Sequence, residues 1–409
     1  MIYGCLGEKL GHSFSREIHQ KLSNFDYKLM ELNLDELYEF LKNKDFSAVN
    51  VTIPYKEKVI PFLDEIDEHA RLIGAVNTIV NKDGKLYGYN TDFHGMIELL
   101  KHADVDVTDK KVCILGTGGT SKTALAVLQA LGAKKILKVS RNAIENAITY
   151  DELYSDHTDC DVIINTTPVG MYPNNDGCPV DLSKFPSLSG VIDAVYNPLR
   201  TRLILEARKR GIPAEGGLYM LVAQAIKASE LFHDVKYEDE LEKSTYENIL
   251  LEKESIVLIG MPSCGKTTVG RLISELCGKP FFDSDEMIVD SAKMQISEIF
   301  DMLGEGSFRD MERQVIRGLS SKGGRIIATG GGVILDPANI DALRQNGRIY
   351  FIDRSPRLLL PTSSRPLCNT QDKLLALFEE RYDRYMMASD VVVDGDRVPI
   401  DVANNVIKG

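Results

Sequence analysis

Residues 260 to 267, Gly-Met-Pro-Ser-Cys-Gly-Lys-Thr, spell a complete P-loop about two-thirds of the way along a chain whose earlier part carries a different glycine turn. The loop follows the apolar run 255–259 and precedes the helical pattern Thr268-Val269-Gly270-Arg271-Leu272-Ile273. That is the strand, loop and helix context the motif requires. In it, backbone amides cradle phosphate at a helix N-terminus, Lys266 reaches the terminal phosphates and Thr267 offers its hydroxyl to magnesium.

At about 150 residues per domain, 409 residues make two or three compact units. The net charge of −12, with no sustained basic face, zinc-finger pattern or basic region, argues against nucleic acid as a partner. Seven cysteines, at 5, 113, 160, 178, 264, 277 and 368, include no Cys-x-x-Cys pair. The expectation is a reduced chain. The first residues lack the basic stretch and apolar core of a signal peptide, and no apolar run nears the roughly 18 residues of a membrane span. A cytoplasmic protein acting on small molecules is expected, with no membrane partner. Oligomeric state is not derivable from the sequence.

Apolar runs alternate with helical patterns almost throughout: 47–53, 112–115, 162–165, 190–194, 255–259, 325–328 and 348–352. The fold class is therefore α/β with parallel sheets. A glycine turn after residue 115 opens a new βαβ unit and divides the first part into lobes 1–101 and 102–233. The acidic, lysine-punctuated stretch 234–254 lacks a strong apolar face and reads as a solvated helical linker. The P-loop domain occupies 255–409.

Lys111 to Ala124 gives a strand, the turn Gly116-Thr117-Gly118-Gly119-Thr120 and a helix start, a Gly-x-Gly-Gly variant of the dinucleotide-binding arrangement. After the next strand, Ser140-Arg141-Asn142 stands where an NAD-selective site places a carboxylate, and offers an arginine suited to a 2′-phosphate. Upstream, four polar clusters interrupt apolar strands: Gly11-His12-Ser13-Phe14-Ser15, Asn50-Val51-Thr52-Ile53-Pro54-Tyr55-Lys56, Gly74-Ala75-Val76-Asn77-Thr78 and Gly88-Tyr89-Asn90-Thr91-Asp92. Single clusters of this kind are turns and caps; four in ninety residues suggest a site.

From Met1 to about His233 these motifs, with Asn165-Thr166-Thr167-Pro168-Val169-Gly170-Met171, Tyr196-Asn197-Pro198-Leu199-Arg200-Thr201 and Gly217-Leu218-Tyr219-Met220, resemble shikimate dehydrogenase. The resemblance implies a substrate lobe, a Rossmann-like NADP lobe with the 217–233 helix packing back on the first, and reduction of 3-dehydroshikimate to shikimate. It implies that Ser13 and Ser15 hold the carboxylate with Tyr196 nearby. Thr52, Asn77, Thr91, Asp92 and Gln224 would bind the ring hydroxyls, and Lys56 and Asp92 would form the catalytic pair. Gly116, Gly118, Gly119, Thr120, Ser140, Arg141, Asn142 and Gly217 would hold the cofactor. Hydride delivery to a ketone builds an alkoxide that needs a proton donor, a role open to lysine. Family members often carry a second arginine four residues after position 141; here it is Glu145, which weakens the 2′-phosphate clamp.

The second part contains Asp283-Ser284-Asp285, Gly306-Ser307-Phe308-Arg309, Thr329-Gly330-Gly331-Gly332, Ser364-Arg365-Pro366-Leu367 and Arg381-Tyr382-Asp383-Arg384-Tyr385. The two aspartates are spaced to point the same way along an extended strand. This series resembles shikimate kinase, a P-loop α/β/α domain. The resemblance implies ATP phosphates on Gly260, Ser263, Cys264, Gly265, Lys266, Thr267 and Thr268, and magnesium on Thr267 and Asp283. It gives the substrate hydroxyl to Asp285, its carboxylate to Arg309 and Arg381, the substrate floor to Gly331 and Gly332, and the closing lid to Arg365. The stretch 358–364 before Arg365 lacks the basic residue that family lids commonly carry. A non-catalytic sensor of quinate or shikimate would show eroded catalytic positions and an added DNA-binding element, and the sequence has neither. Quinate use by the first part is a narrower alternative; the Ser13 and Ser15 pair leans toward shikimate.

Overall fold

The computed structural model describes residues 2–10, 14–22, 25–238, 240–361 and 369–409. It divides into two compact units, one of Met1–Asn197 with Thr201–Ile249 and one of Pro198–Arg200 with Leu250–Gly409.

The first unit holds two sheets. One is built from β1 (Tyr3–Gly7), β2 (Tyr27–Glu31), β3 (Ala48–Val51), β4 (Glu65–Ile66), β5 (Thr78–Lys82) and β6 (Lys85–Tyr89), in the order β2-β1-β3-β5-β6-β4. The parallel sheet expected from the alternating pattern is here mixed: β3 with β5, and β5 with β6, run antiparallel. The cause is local. Asp83 and Gly84 both have positive φ, 53° and 83°, and an Asp-Gly pair of that shape turns a chain directly back on itself.

The other sheet contains β7 (Lys111–Leu115), β8 (Lys135–Ser140), β9 (Ile148–Thr149), β10 (Val162–Asn165), β11 (Gly190–Asp193) and β12 (Ala214–Glu215), in the order β12-β11-β10-β7-β8-β9. All its pairs are parallel. Every residue of β10 and β11 is buried, which explains continuous apolar runs in place of alternation. The helix Leu218–His233 returns to the first sheet, where Ala228 and Phe232 join Cys5, Leu10, Tyr27, Ala48 and Val80 in one core.

Two expectations are corrected in this unit. The stretch read as a solvated helical linker is helical over Glu240–Lys253, but it is not simply solvated: it buries Thr245, Tyr246 and Ile249. Tyr246 packs on His102 and Tyr219, with ring centroids at 5.0 and 5.1 Å. A few well-placed apolar residues anchor a helix whose overall composition is polar. Cys113 and Cys160 form a disulfide rather than two thiols. They lie 47 residues apart in sequence, and the pairing of β10 with β7 brings them together.

The second unit is one parallel sheet of β13 (Ser255–Ile259), β14 (Phe281–Asp283), β15 (Ile326–Ala328), β16 (Gly347–Asp353) and β17 (Val391–Asp394), ordered β14-β15-β13-β16-β17. Its central strand β13 is the one that feeds the P-loop, so the loop emerges where neighbouring strand ends converge. Ligands of open α/β sheets bind at such carboxyl ends.

Candidate active sites

In the first unit a cavity of about 360 Å³ is lined by residues of the first sheet and its loops, by Thr120, Ala194 and Tyr196 beyond strand ends of the second, and by the returning helix. It gathers Ser15, Thr52, Lys56, Asn77, Asp92, Thr120, Tyr196, Gly217 and Gln224, nine residues the sequence nominates. Thr91 stands just behind the wall. Its backbone N–H donates to Asn77 Oδ1 at 2.7 Å, and Asn77 Nδ2 donates to Thr91 Oγ1 at 3.1 Å. Thr91 in turn reaches Gln224 Oε1 at 3.4 Å. Ser13 lies outside the described residues.

Lys56 Nζ donates to Asp92 Oδ2 at 2.5 Å, the two side chains being 25% and 16% exposed. Asp92 occupies the first turn of the helix Thr91–His102, where a carboxylate is favoured by the helix dipole. The pair is thus held at the cavity by one loop and one helix start. That helix approaches Leu218–His233 very closely, because Gly95 has no side chain to hold them apart: a Cβ there would sit 2.6 Å from the Met220 carbonyl oxygen.

Several wall residues lie outside the set nominated from the sequence, among them Cys5, Lys9, Asn50 and Met220. Burial pushes the pKa of the Cys5 thiol up to about 12 despite the opposing Lys56 charge. Asn50 accepts the Tyr27 hydroxyl at 2.7 Å and donates to Thr78 Oγ1 at 3.1 Å. Beneath Tyr196 is Asp193, fully buried, which accepts from Thr201 Oγ1 (2.6 Å), Val195 N (3.0 Å) and Asn165 Nδ2 (2.9 Å). It ties together the two motifs, around 165 and 196–201, whose individual residues gave no hint of a common anchor.

The glycine turn sits at the C-terminal end of β7. Gly116 has φ of 109°, while Gly118 and Gly119 face open space, with no atom within 4 Å of an added Cβ. The helix Gly119–Ala130 starts there without a side-chain cap, leaving its first amides for an anion. Ser140 ends β8, and Arg141 and Asn142 are exposed beyond it. These residues fit a dinucleotide. Glu145 is exposed as well.

In the second unit the P-loop takes the conformation its glycines allow: φ is 149° at Gly260 and 101° at Gly265, and Ser263 also has positive φ, 65°. Lys266 is buried and donates to the carbonyls of Gly260 (2.9 Å) and Met261 (3.0 Å). Cys264 is buried within the loop, and Thr268 continues the helix Lys266–Cys277. Thr267 Oγ1 donates to Asp283 Oδ2 at 2.7 Å. This hydroxyl and carboxylate fit a magnesium ion that takes its other ligands from phosphate and water. Among the described residues no cluster of three or more His, Cys, Asp or Glu forms an all-protein metal cage.

Asp283 and Asp285 do not project from one strand. β14 ends at Asp283, which caps the helix Ser284–Ala292 by accepting the Asp285 amide at 3.0 Å, and Asp285 belongs to the first helical turn. Capping by an aspartate overrides the extended spacing. Asp285 faces Gly330, where an added Cβ would clash with its carboxylate. Arg309 lies against Gly332 in the same way. It donates to Glu312 Oε2 at 2.9 Å and to Glu305 Oε1 at 2.9 Å. Arg381, 5% exposed, donates to the Gly331 carbonyl at 3.1 Å, as does Tyr385 at 2.5 Å. Glu312, absent from the sequence-derived set, is 1% exposed. Burial raises its pKa against the pull of Arg309. Burial pulls Arg309 the other way, but Glu312 and Glu305 outweigh it and leave its pKa raised. Arg365 lies outside the described residues.

These geometries define a dinucleotide-dependent dehydrogenase unit followed by a P-loop kinase unit. Residues 5–79 match the family model of the shikimate dehydrogenase substrate binding domain, and residues 262–409 that of shikimate kinase. The shikimate dehydrogenase (NADP(+)) of Clostridium perfringens strain SM101 is 41% identical over 266 residues, spanning 61% of this chain and 98% of that protein. That of Clostridium beijerinckii is 40% identical over 259 residues, 60% of this chain and 96% of its own. Among solved structures, a chorismate mutase/shikimate 5-dehydrogenase fusion protein from Clostridium acetobutylicum is 38% identical, with a TM-score of 0.58, over 61% of this chain and 96% of that one. The Thermus thermophilus shikimate 5-dehydrogenase, solved with NADP(H) and shikimate, is 26% identical with a TM-score of 0.54, over 61% and 99%. The chain belongs to the shikimate dehydrogenase family and carries a shikimate kinase domain after it, making it a bifunctional shikimate-pathway enzyme.

Proposed function

We propose that the first unit reduces 3-dehydroshikimate to shikimate with NADPH and that the second phosphorylates shikimate with ATP and magnesium to shikimate 3-phosphate. The observation that carries the first half is the Lys56–Asp92 pair at 2.5 Å on the wall of a polar cavity. Bound NADPH supplies the hydride. The Lys56 ammonium donates a proton to the oxygen of the reduced carbonyl, and Asp92 holds that ammonium in place. Asn77 and Gln224, linked through Thr91, present amide groups to the ring hydroxyls, and Ser15 and Tyr196 receive the carboxylate. Arg141 favours NADP over NAD, with Glu145 subtracting from the preference.

In the second unit, phosphoryl transfer needs positioning and charge stabilisation above all. Asp285 orients the attacking hydroxyl, Arg309 and Arg381 clamp the carboxylate, and Lys266 moves from its two carbonyl partners to the phosphates. Thr267 and Asp283 would hold the metal, which would supply positive charge for the phosphates.

A coupled assay with 3-dehydroshikimate, NADPH and ATP tests both halves by following NADPH oxidation and ADP release. Lys56→Ala should lower the dehydrogenase kcat by roughly 10² or more while phosphorylation of added shikimate continues. Full dehydrogenase turnover in that variant removes Lys56 from the mechanism.

A further inference from the structure

The lid stretch 358–364 carries no basic residue, yet the structure holds an arginine close to the P-loop from another direction. Arg354 directly follows β16, the strand paired with β13. One terminal nitrogen of its guanidinium lies 3.9 Å from the point where a Cβ on Gly265 would sit, and Gly265 caps the P-loop helix. On its other side, the Arg354 Cβ is 3.2 Å from the corresponding point on Gly395. The side chain is therefore wedged between the phosphate-binding loop and the turn after β17.

Arg354 Nε is sealed from solvent and has no hydrogen-bond partner among the described residues. The acids around it are engaged elsewhere. Asp353 accepts the Tyr382 hydroxyl at 3.1 Å, Asp394 accepts Arg397 Nε at 3.0 Å, and Asp396 accepts the Ser355 amide at 2.7 Å. The residue as a whole is half-buried, and a guanidinium, charged at any ordinary pH, is costly to desolvate even in part without an anionic partner. A buried polar atom left unpaired at the edge of a ligand site points to a partner that arrives with the ligand.

We propose that Arg354 is a nucleotide-binding residue of the kinase unit, donating to the phosphate chain of ATP beside Gly265 and supplying positive charge that the lid stretch lacks. The inference rests on the kinase reading above. It is tested in the full-length chain with Arg354→Met and Arg354→Lys, measuring KM for Mg-ATP and for shikimate, and inhibition by ADP and by adenosine. Arg354→Met should raise KM for ATP and Ki for ADP by about tenfold or more, the cost of a lost hydrogen bond to a charged group. Ki for adenosine and KM for shikimate should hold, the latter showing that the unit remains folded. Arg354→Lys keeps the charge without the fork and should fall between. An unchanged Ki for ADP in Arg354→Met, or an equal loss for adenosine, overturns the inference. Absence of shikimate phosphorylation in the unsubstituted chain would instead remove the kinase reading itself.

Discussion

Acidification should loosen the helix Ser15–Leu22 through one residue, His19. The ring is 1% exposed and stacks on Tyr27 at 4.2 Å and 8°, with Phe232 at 5.6 Å on the same core. Its Nδ1 has no hydrogen-bond partner among the described residues. Burial pushes its pKa from 6.5 down to about 3, with Asn50 opposing and His233 adding to the fall. A depressed folded pKa means the unfolded state binds the proton first. The stabilisation is complete above the unfolded pKa and is lost as pH falls through the window towards about 3. At 1.36 kcal/mol per unit the full window is worth about 5 kcal/mol, and at about pH 5 roughly 2 kcal/mol has gone. Amide hydrogen exchange over the helix, corrected for intrinsic rates, should show protection falling about thirtyfold between neutral pH and about pH 5. His19→Phe keeps the stacked ring and removes the titration, so its protection should stay level. Because Ser15 on this helix lines the cavity that holds Lys56 and Asp92, the native KM should rise over the same range while that of His19→Phe does not. An equal loss of protection in both proteins refutes the reasoning.

Asp193 should show the opposite slope. Burial lifts its pKa to about 7 against its three donors, so its stabilisation is full below the ordinary aspartate range near 3.9 and is lost as pH rises through about 7. Asp193→Asn should abolish that slope, worth about 4 kcal/mol at most, in local exchange around 165 and 195–201. Gly95→Ala should destabilise the first unit by about 1–3 kcal/mol through overpacking, seen in urea unfolding, and should raise the dehydrogenase KM by shifting Gln224 from Thr91. Thr267→Ala should raise the magnesium concentration the kinase needs by about tenfold, the cost of one lost ligand, with the dehydrogenase unaltered. A fragment ending at Asp234 should be less stable than one ending at Lys253 by about 3 kcal/mol, from exposing the faces that Tyr246 and Ile249 cover, measured by thermal loss of dehydrogenase activity.

What the sequence determined by itself are the features that act through a few consecutive residues. The P-loop and the Gly116–Gly119 turn each set their own backbone, because the shape follows from glycine at fixed offsets. The apolar runs at 162–165 and 190–194 were legible as buried strands because both their faces are covered. The Asp83-Gly84 hairpin was equally local, and reading it would have given the antiparallel β5–β6 pair, though not the β3–β5 one. Tertiary structure alone decided what depends on distant residues meeting. Asp193 became an anchor only when Asn165 and Thr201 closed on it, and Cys113 met Cys160 only through the β7–β10 pairing. Asp283 became a helix cap at the end of β14, and Asp285 a helix residue rather than a strand residue, once Ser284 began a helix. Glu312 and Arg354 look like ordinary charged residues in the sequence, since burial and the commitments of neighbouring acids are properties of three-dimensional packing. A motif declares its chemistry through its own backbone, whereas a lone charged side chain acquires its chemistry from the groups the fold sets around it.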